Sequence, residues 1–101
     1  MAWVDSFGEF VDFISYVLLS APDDFPVEDY LSDDEQMNLD KAFDELKGGM
    51  RFVEQRIHDK DVVARLHGLL DASFVAYRAD DSTKGAHLLQ DFQRLLLEKN
   101  P

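Results

Sequence analysis

Apolar residues recur at helical spacing from the start of the chain. The first stripe consists of Trp3, Phe7, Phe10, Ile14 and Val17. Steps of four and three positions place these residues on one face of an α-helix, so the spacing predicts a helix over residues 3–20. Pro22 is expected to end it, because proline cannot continue a helix. Tyr16 lies on the opposite face, among acidic residues, and is predicted to point away from the core.

The longest stripe passes through two consecutive glycines. Its members are Leu39, Phe43, Leu46, Met50, Val53 and Ile57. Ser32 followed by Glu35 has the spacing of a capping box, in which the two side chains satisfy free backbone N–H groups at a helix start. We therefore predict one helix over residues 33–58, bent at Gly48 and Gly49. For this glycine pair a hinge is the alternative to a small-residue packing contact.

Two further stripes predict helices over residues 61–79 and 82–98. Their apolar members are Val63, Leu66, Leu70, Phe74 and Tyr77, followed by Leu88, Leu89, Phe92, Leu95 and Leu96. No segment alternates convincingly at the period of two that is typical of strands. The chain is thus predicted to be all-α, a four-helix antiparallel bundle that forms a single domain over residues 1–101, with one longer acidic link at residues 21–32.

Charge is distributed unevenly along the chain, whose formal net charge is −11. Residues 1–40 contain eleven acidic residues and no lysine or arginine, whereas residues 41–101 contain ten acidic and ten basic residues. A phosphate-rich surface would repel such a chain, so nucleic acids and anionic membranes are excluded as expected partners. A basic protein is the partner that this charge favours.

Candidate chemistry is sparse. The chain has no cysteine, which excludes disulfides and thiolate metal sites. His58, His67 and His87 lack the spacing of a zinc motif, and Glu54 with His58 one turn later supplies only two ligands. No serine has a base and an orienting acid at helical spacing, and no glycine-rich phosphate loop is present. We predict no catalytic, cofactor or metal site, and a protein that is not an enzyme.

The apolar N-terminal run does not have the character of a targeting segment. Asp5, Glu9 and Asp12 interrupt it, and no basic residue precedes it. An export signal needs a basic start and an uncharged centre, and a membrane span needs about 20 nearly uncharged residues. The expected location is therefore the cytoplasm.

Acidic residues interleaved with aromatic ones form the predicted binding surface. Negative charge accelerates encounter with a basic surface, and aromatic rings supply localised binding energy. The predicted partner-binding residues are Asp12, Tyr16, Asp23, Asp24, Phe25, Glu28, Asp29, Tyr30, Asp33 and Asp34. For Phe25 and Tyr30 the alternative is that they cover the end of the bundle.

In size, acidity, helicity and the aromatic–acid surface from Tyr16 to Glu35, the chain resembles the small acidic helical immunity proteins with which bacteria neutralise toxins. The resemblance has no diagnostic motif, so no family residue is transferred. It implies a one-to-one cytoplasmic inhibitor of a basic toxin domain, whose carboxylates replace the toxin's anionic substrate or cover the approach to it. The alternative hypothesis is a homo-oligomeric helical adaptor or structural protein, assembled through the helix over residues 33–58. The predicted state is accordingly a monomer or a homodimer.

Overall fold

The computed structural model describes residues 3–100, which form four α-helices and one short 3-10 turn. The helices are α1 (Phe7–Ser20), α2 (Leu39–Glu54), α3 (Lys60–Arg78) and α4 (Ser82–Lys99). Within residues 3–100 no strand occurs. Each helix packs against the next one in the chain, and α4 returns to α1. The predicted all-α four-helix bundle is confirmed.

The core is built from the predicted apolar stripes. Its largest fully buried side chains are Phe10, Ile14 and Val17 from α1, Phe43, Leu46, Met50 and Val53 from α2, Leu66 and Leu70 from α3, and Leu89, Phe92 and Leu96 from α4. Burial of each such side chain contributes about 1.5–3 kcal/mol to folding. Helical spacing in the sequence therefore identified the residues that hold the bundle together.

The start of α1 differs from the prediction. The helix begins at Phe7, not at residue 3, because Ser6 acts as its N-cap: the Ser6 hydroxyl accepts a hydrogen bond from the Glu9 N–H at 3.1 Å. The Glu9 carboxylate in turn accepts from the Asp5 N–H at 2.9 Å. These bonds fix the helix entry, so Trp3 precedes the helix, although its half-buried side chain still packs against the core cluster.

Residues 33–58 do not form one helix. The capping box of residues 32–35 is present, but it opens only a 3-10 turn over Asp33–Glu35. Gln36 then takes an extended conformation, with φ −63° and ψ 145°. Its side-chain amide accepts from the Glu28 N–H and donates to the carbonyl oxygens of Glu28 and Leu31, each at 2.9 Å. These bonds satisfy loop backbone groups, and they hold the chain out of helical geometry before α2 begins.

The helix α2 has a cap of its own and passes through both glycines. The Asn38 side chain accepts a hydrogen bond from the Lys41 N–H at 2.9 Å, and the helix follows without interruption. A Cβ atom at Gly49 would lie 2.3 Å from Cδ1 of Phe10, whereas one at Gly48 would meet nothing within 4 Å. The packing-contact interpretation is therefore confirmed for Gly49.

The hairpin of α3 and α4 begins and ends close to the predicted boundaries. Asp59 and Asp81 are the N-caps of the two helices. Between the helices the buried Ser73 hydroxyl donates to the carbonyl oxygen of Gly85 at 2.7 Å. A Cβ atom at Gly85 would lie 2.8 Å from the Tyr77 ring, so this glycine allows the two helices to approach closely.

None of the helices within residues 3–100 combines the length and the apolar character that a membrane span requires.

Candidate protein-binding surface

Three half-buried aromatic side chains form a connected row along the surface, which we call the aromatic row: Trp3, Tyr16 and Phe25. The ring centroids of Trp3 and Tyr16 lie 6.0 Å apart, and those of Tyr16 and Phe25 lie 5.8 Å apart. Beneath them lies the buried Phe13, whose ring centroid is 6.3 Å from that of Trp3 and 5.5 Å from that of Tyr16. Because Phe13 belongs to the core, it anchors the row to the rigid part of the molecule.

Tyr16 is less exposed than predicted. Its side chain packs against the core cluster, and its hydroxyl oxygen is buried without a hydrogen-bond partner among residues 3–100. Burial, followed by the nearby Glu28 carboxylate and Tyr30, raises the pKa of the Tyr16 phenol. The prediction that Tyr16 points freely away from the core is wrong, because Trp3 and Phe25 flank its ring.

The acidic loop over residues 21–32 places its two aromatic residues differently. Phe25 is half-buried and packs against the core cluster. Tyr30 exposes 71% of its surface and does not cover the core. Gln36, which bonds to the backbone of Glu28 and Leu31, fixes the loop segment that presents Tyr30.

The predicted acidic residues lie at the surface. Glu28 is half-buried; the exposed ones are Asp12, Asp23, Asp24, Asp29, Asp33 and Asp34. Asp12 lies beside Tyr16, while the others follow the loop and the 3-10 turn. The Ser32 hydroxyl lies 2.8 Å from Asp34 Oδ1 and 2.7 Å from Glu35 Oε1 and can donate to one of them at a time. These bonds lower the pKa of both carboxyls, because they stabilise the charged form.

Within residues 3–100 the acidic residues between positions 5 and 35 form no ion pair, whereas Asp40 pairs with Arg78. The other ion pairs of the described residues are Lys47–Asp71, Glu54–His67 and Asp91–Arg94. Lys41 reaches this region, but its ammonium group donates to the carbonyl oxygens of Asp34 and Gln36. Arg56 also reaches it and lies over the Phe7 ring, 4.4 Å from the centroid. The carboxylates of this region are thus available to an external cation.

Trp3 borders two surface clefts. The Trp3–α1 cleft, of about 250 Å³, is lined by Trp3, Glu9, Asp12, Phe13 and Tyr16. The Trp3–α2 cleft, of about 280 Å³, is lined by Trp3, Leu31, Glu35, Met37, Lys41, Asp44 and Glu45. One indole therefore lies between two groups of carboxylates that come from distant parts of the sequence.

Sequence reasoning missed several members of this surface. Trp3 was assigned to the core face of α1, and Asp44 and Glu45 were not among the predicted binding residues. A signal for Trp3 was present, since Ser6 and Glu9 have the spacing of a capping box, which would have placed the helix start after Trp3. No comparable signal brings α2 next to the N-terminal segment, because only tertiary packing makes that contact.

A separate cluster lies at the junction of α2 and α3. Glu54 Oε1 and His67 Nε2 are 3.3 Å apart, and His58 lines the same cleft. Glu54 thus pairs with a histidine from α3, not with His58 one turn away. Within residues 3–100 no group of three or more metal-ligating side chains comes together.

Comparisons of the chain with known protein families, with curated proteins and with solved structures each found no match. The functional interpretation therefore depends on the surface itself: an anchored aromatic row, the exposed Tyr30 near it, and a set of carboxylates that form no ion pair within the described residues.

Proposed function

We propose that this chain is a non-catalytic protein-binding module, a cytoplasmic immunity protein that neutralises a cognate bacterial toxin by docking its acidic and aromatic surface on a basic one. One observation carries the proposal. The aromatic row and Tyr30 are surrounded by carboxylates that form no ion pair with any lysine or arginine of residues 3–100.

Unpaired carboxylates suit rapid capture of a basic surface. A field of one sign raises the association rate by roughly 10- to 1,000-fold at low salt. No internal ion pair of residues 5–35 has to break before these groups meet a partner. The charge therefore contributes mainly to the speed and specificity of the encounter.

The aromatic row supplies the localised part of the binding energy. Aromatic side chains near the centre of an interface dominate affinity. Phe13 holds Trp3 and Tyr16 in place in the free protein, so little side-chain entropy is lost when a partner covers them. In the proposed complex the carboxylates occupy the basic site that binds the toxin's anionic substrate, or cover the approach to it.

The test begins with the genes beside this one: a neighbouring gene that encodes a basic toxin-like domain is expected. Its product should bind this chain, and this chain should protect bacteria from it in a growth assay. The variant Asp29→Lys, Tyr30→Ala, Asp33→Lys should bind roughly a hundredfold more weakly by calorimetry, because it reverses two charges and removes an exposed ring. Its helicity should stay close to the wild type and its melting temperature should not fall, since all three residues are exposed.

The matched control is Asp61→Lys, Leu97→Ala, Glu98→Lys, which makes the same charge change on exposed residues of α3 and α4. It should keep wild-type affinity and protection. Equal affinity of the wild type and the loop variant would remove the acidic loop from the mechanism. Failure of the wild type to bind or to protect would contradict the proposed function.

The homo-oligomer hypothesis depended on a helix over residues 33–58, about 39 Å long at 1.5 Å per residue. The structure has instead a helix α2 of 16 residues, about 24 Å long at the same rise. Light scattering after size exclusion should therefore show a monomer. A dimer that persists at high salt would favour assembly over toxin binding.

A further inference from the structure

The Trp3–α2 cleft is bounded by three parts of the fold: the N-terminal segment, the end of the acidic loop with the 3-10 turn, and the first half of α2. Its apolar walls are Trp3, Leu31 and Met37, and its carboxylates are Glu35, Asp44 and Glu45. Its volume of about 280 Å³ lies at the small end of the roughly 300–1,000 Å³ that is typical of pockets for drug-sized ligands. This size favours a single inserted side chain over a cofactor.

Within residues 3–100 the carboxylates of the cleft form no ion pair. Lys41 also lines the cleft, but its ammonium group donates to two backbone carbonyl oxygens, those of Asp34 and Gln36. Asp44 and Glu45 form no ion pair with any basic residue of the described chain. Three acids against one lysine leave the cleft with a net negative charge.

We propose that this cleft is the anchor site for one arginine side chain of the partner, an inference that rests on the proposed function and specifies it. A guanidinium group stacks on an indole and donates hydrogen bonds to two carboxylate oxygens at once. Its methylene stem packs on apolar walls such as those of Leu31 and Met37. A lysine ammonium is a compact, strongly hydrated charge and uses such a site less well.

The chain itself provides the reporter. Trp3 is its one tryptophan, so the indole N–H signal in a nitrogen–proton correlation spectrum comes from this residue alone. The probe is an acetylated and amidated peptide of glycine and serine with a single central arginine. The comparison peptides replace that arginine by citrulline, its neutral isostere, or by lysine.

The arginine peptide should shift the Trp3 indole signal in a saturable way. The citrulline peptide should bind at least about tenfold more weakly, because citrulline keeps the shape of arginine and lacks its charge. The lysine peptide should lie between them. Equal affinity for the arginine and citrulline peptides would overturn the proposal.

Variants separate the cleft from the general negative charge. Asp44→Asn with Glu45→Gln should weaken the arginine peptide about tenfold. Asp61→Asn with Glu98→Gln makes the same charge change on exposed residues of α3 and α4 and should change the affinity less than twofold. Equal weakening in both variants would show non-specific attraction and overturn the anchor site.

The growth assay distinguishes failure of the anchor from failure of the proposed function. An Asp44→Asn, Glu45→Gln variant that protects as well as the wild type, with no arginine-dependent indole shift, overturns the anchor site alone. A wild-type chain that does not protect overturns the proposed function, whatever the peptides show.

Discussion

Single contacts at the residue scale distinguish side chains that look equivalent in the sequence. Gly48 and Gly49 are neighbours in the same helix, yet only a Cβ atom at Gly49 would collide with the ring of Phe10, at 2.3 Å. Phe10 is fully buried, so its ring has no open space to move into. The absence of a side chain at position 49 is therefore required for α1 and α2 to pack.

Alanine substitutions test this difference. Gly49→Ala should lower the free energy of unfolding by about 1–2 kcal/mol, because overpacking costs more than the gain in helix propensity. Gly48→Ala, the matched control, should raise it by about 0.5–1 kcal/mol. Urea unfolding followed by circular dichroism measures both values. Equal stabilisation by the two alanines would contradict the packing role of Gly49.

Tyr77 gives the stability a dependence on alkaline pH. Burial raises the pKa of its phenol above the model-compound value of 10.0, so the folded state holds the proton more tightly than the unfolded state. This contribution is fully present below pH 10 and is lost as the pH rises through the folded pKa. The half-buried Tyr16, whose pKa is also raised, acts with the same sign.

Tyr77→Phe should therefore lose less stability than the wild type between pH 9 and pH 12, measured by urea unfolding at each pH. Tyr30→Phe makes the same chemical change at a residue that is 71% exposed, and it serves as the control. If the stability of the Tyr77→Phe variant fell with pH as steeply as that of the wild type, the Tyr77 phenol would not be the cause of the alkaline loss of stability.

At the scale of elements, the helix starts were the least predictable feature. Two cap signals precede α2, and the one with the stronger sequence signature, Ser32 with Glu35, opens only a three-residue 3-10 turn. Asn38 caps the helix itself. The outcome depends on Gln36, whose amide binds the backbone of the acidic loop and thereby ends the turn.

Substitution of the two caps tests which one stabilises the fold. Asn38→Ala should lower the free energy of unfolding by about 1 kcal/mol, the usual effect of removing an N-cap side chain. Ser32→Ala should cost clearly less, because the hydroxyl bonds that it removes lie in a three-residue 3-10 turn and do not cap an α-helix. Thermal unfolding should show a fall of roughly 4–8 °C for the first variant. Equal losses would indicate that residues 33–38 belong to α2.

The whole molecule carries unneutralised charge in the part that forms α1, the acidic loop and the 3-10 turn. Its ion pairs within residues 3–100 all lie between residues 40 and 94. Repulsion among the remaining carboxylates opposes the compact state. The binding surface therefore has a cost in stability.

Salt should raise the stability of the fold, because it screens the repulsion among these carboxylates. Raising sodium chloride from 10 to 150 mM shortens the screening length from about 30 to about 8 Å, so the melting temperature should rise. Asp29→Asn with Asp33→Asn should reduce this rise more than Asp61→Asn with Glu98→Gln, which removes two acids from the balanced half of the chain. Equal effects would show that only the total charge matters.

The sequence alone determined the class of fold, the core residues and the placement of charge. Helical spacing identified the buried positions because burial in a bundle requires one apolar face per helix. The predicted helices over residues 61–79 and 82–98 match Lys60–Arg78 and Ser82–Lys99 within one residue at each end. For these two helices the apolar stripe and the N-cap indicate the same start, since an aspartate directly precedes each helix.

Tertiary structure decided what local patterns could not. The apolar stripe extends to Trp3, but the cap at Ser6 begins α1 later and leaves the indole at the surface. Competing caps before α2 were resolved by a long side chain, Gln36, bonding back into the loop. The Trp3–α2 cleft joins residues more than 40 positions apart, and no local spacing encodes such a contact, because it exists only once the helices have packed.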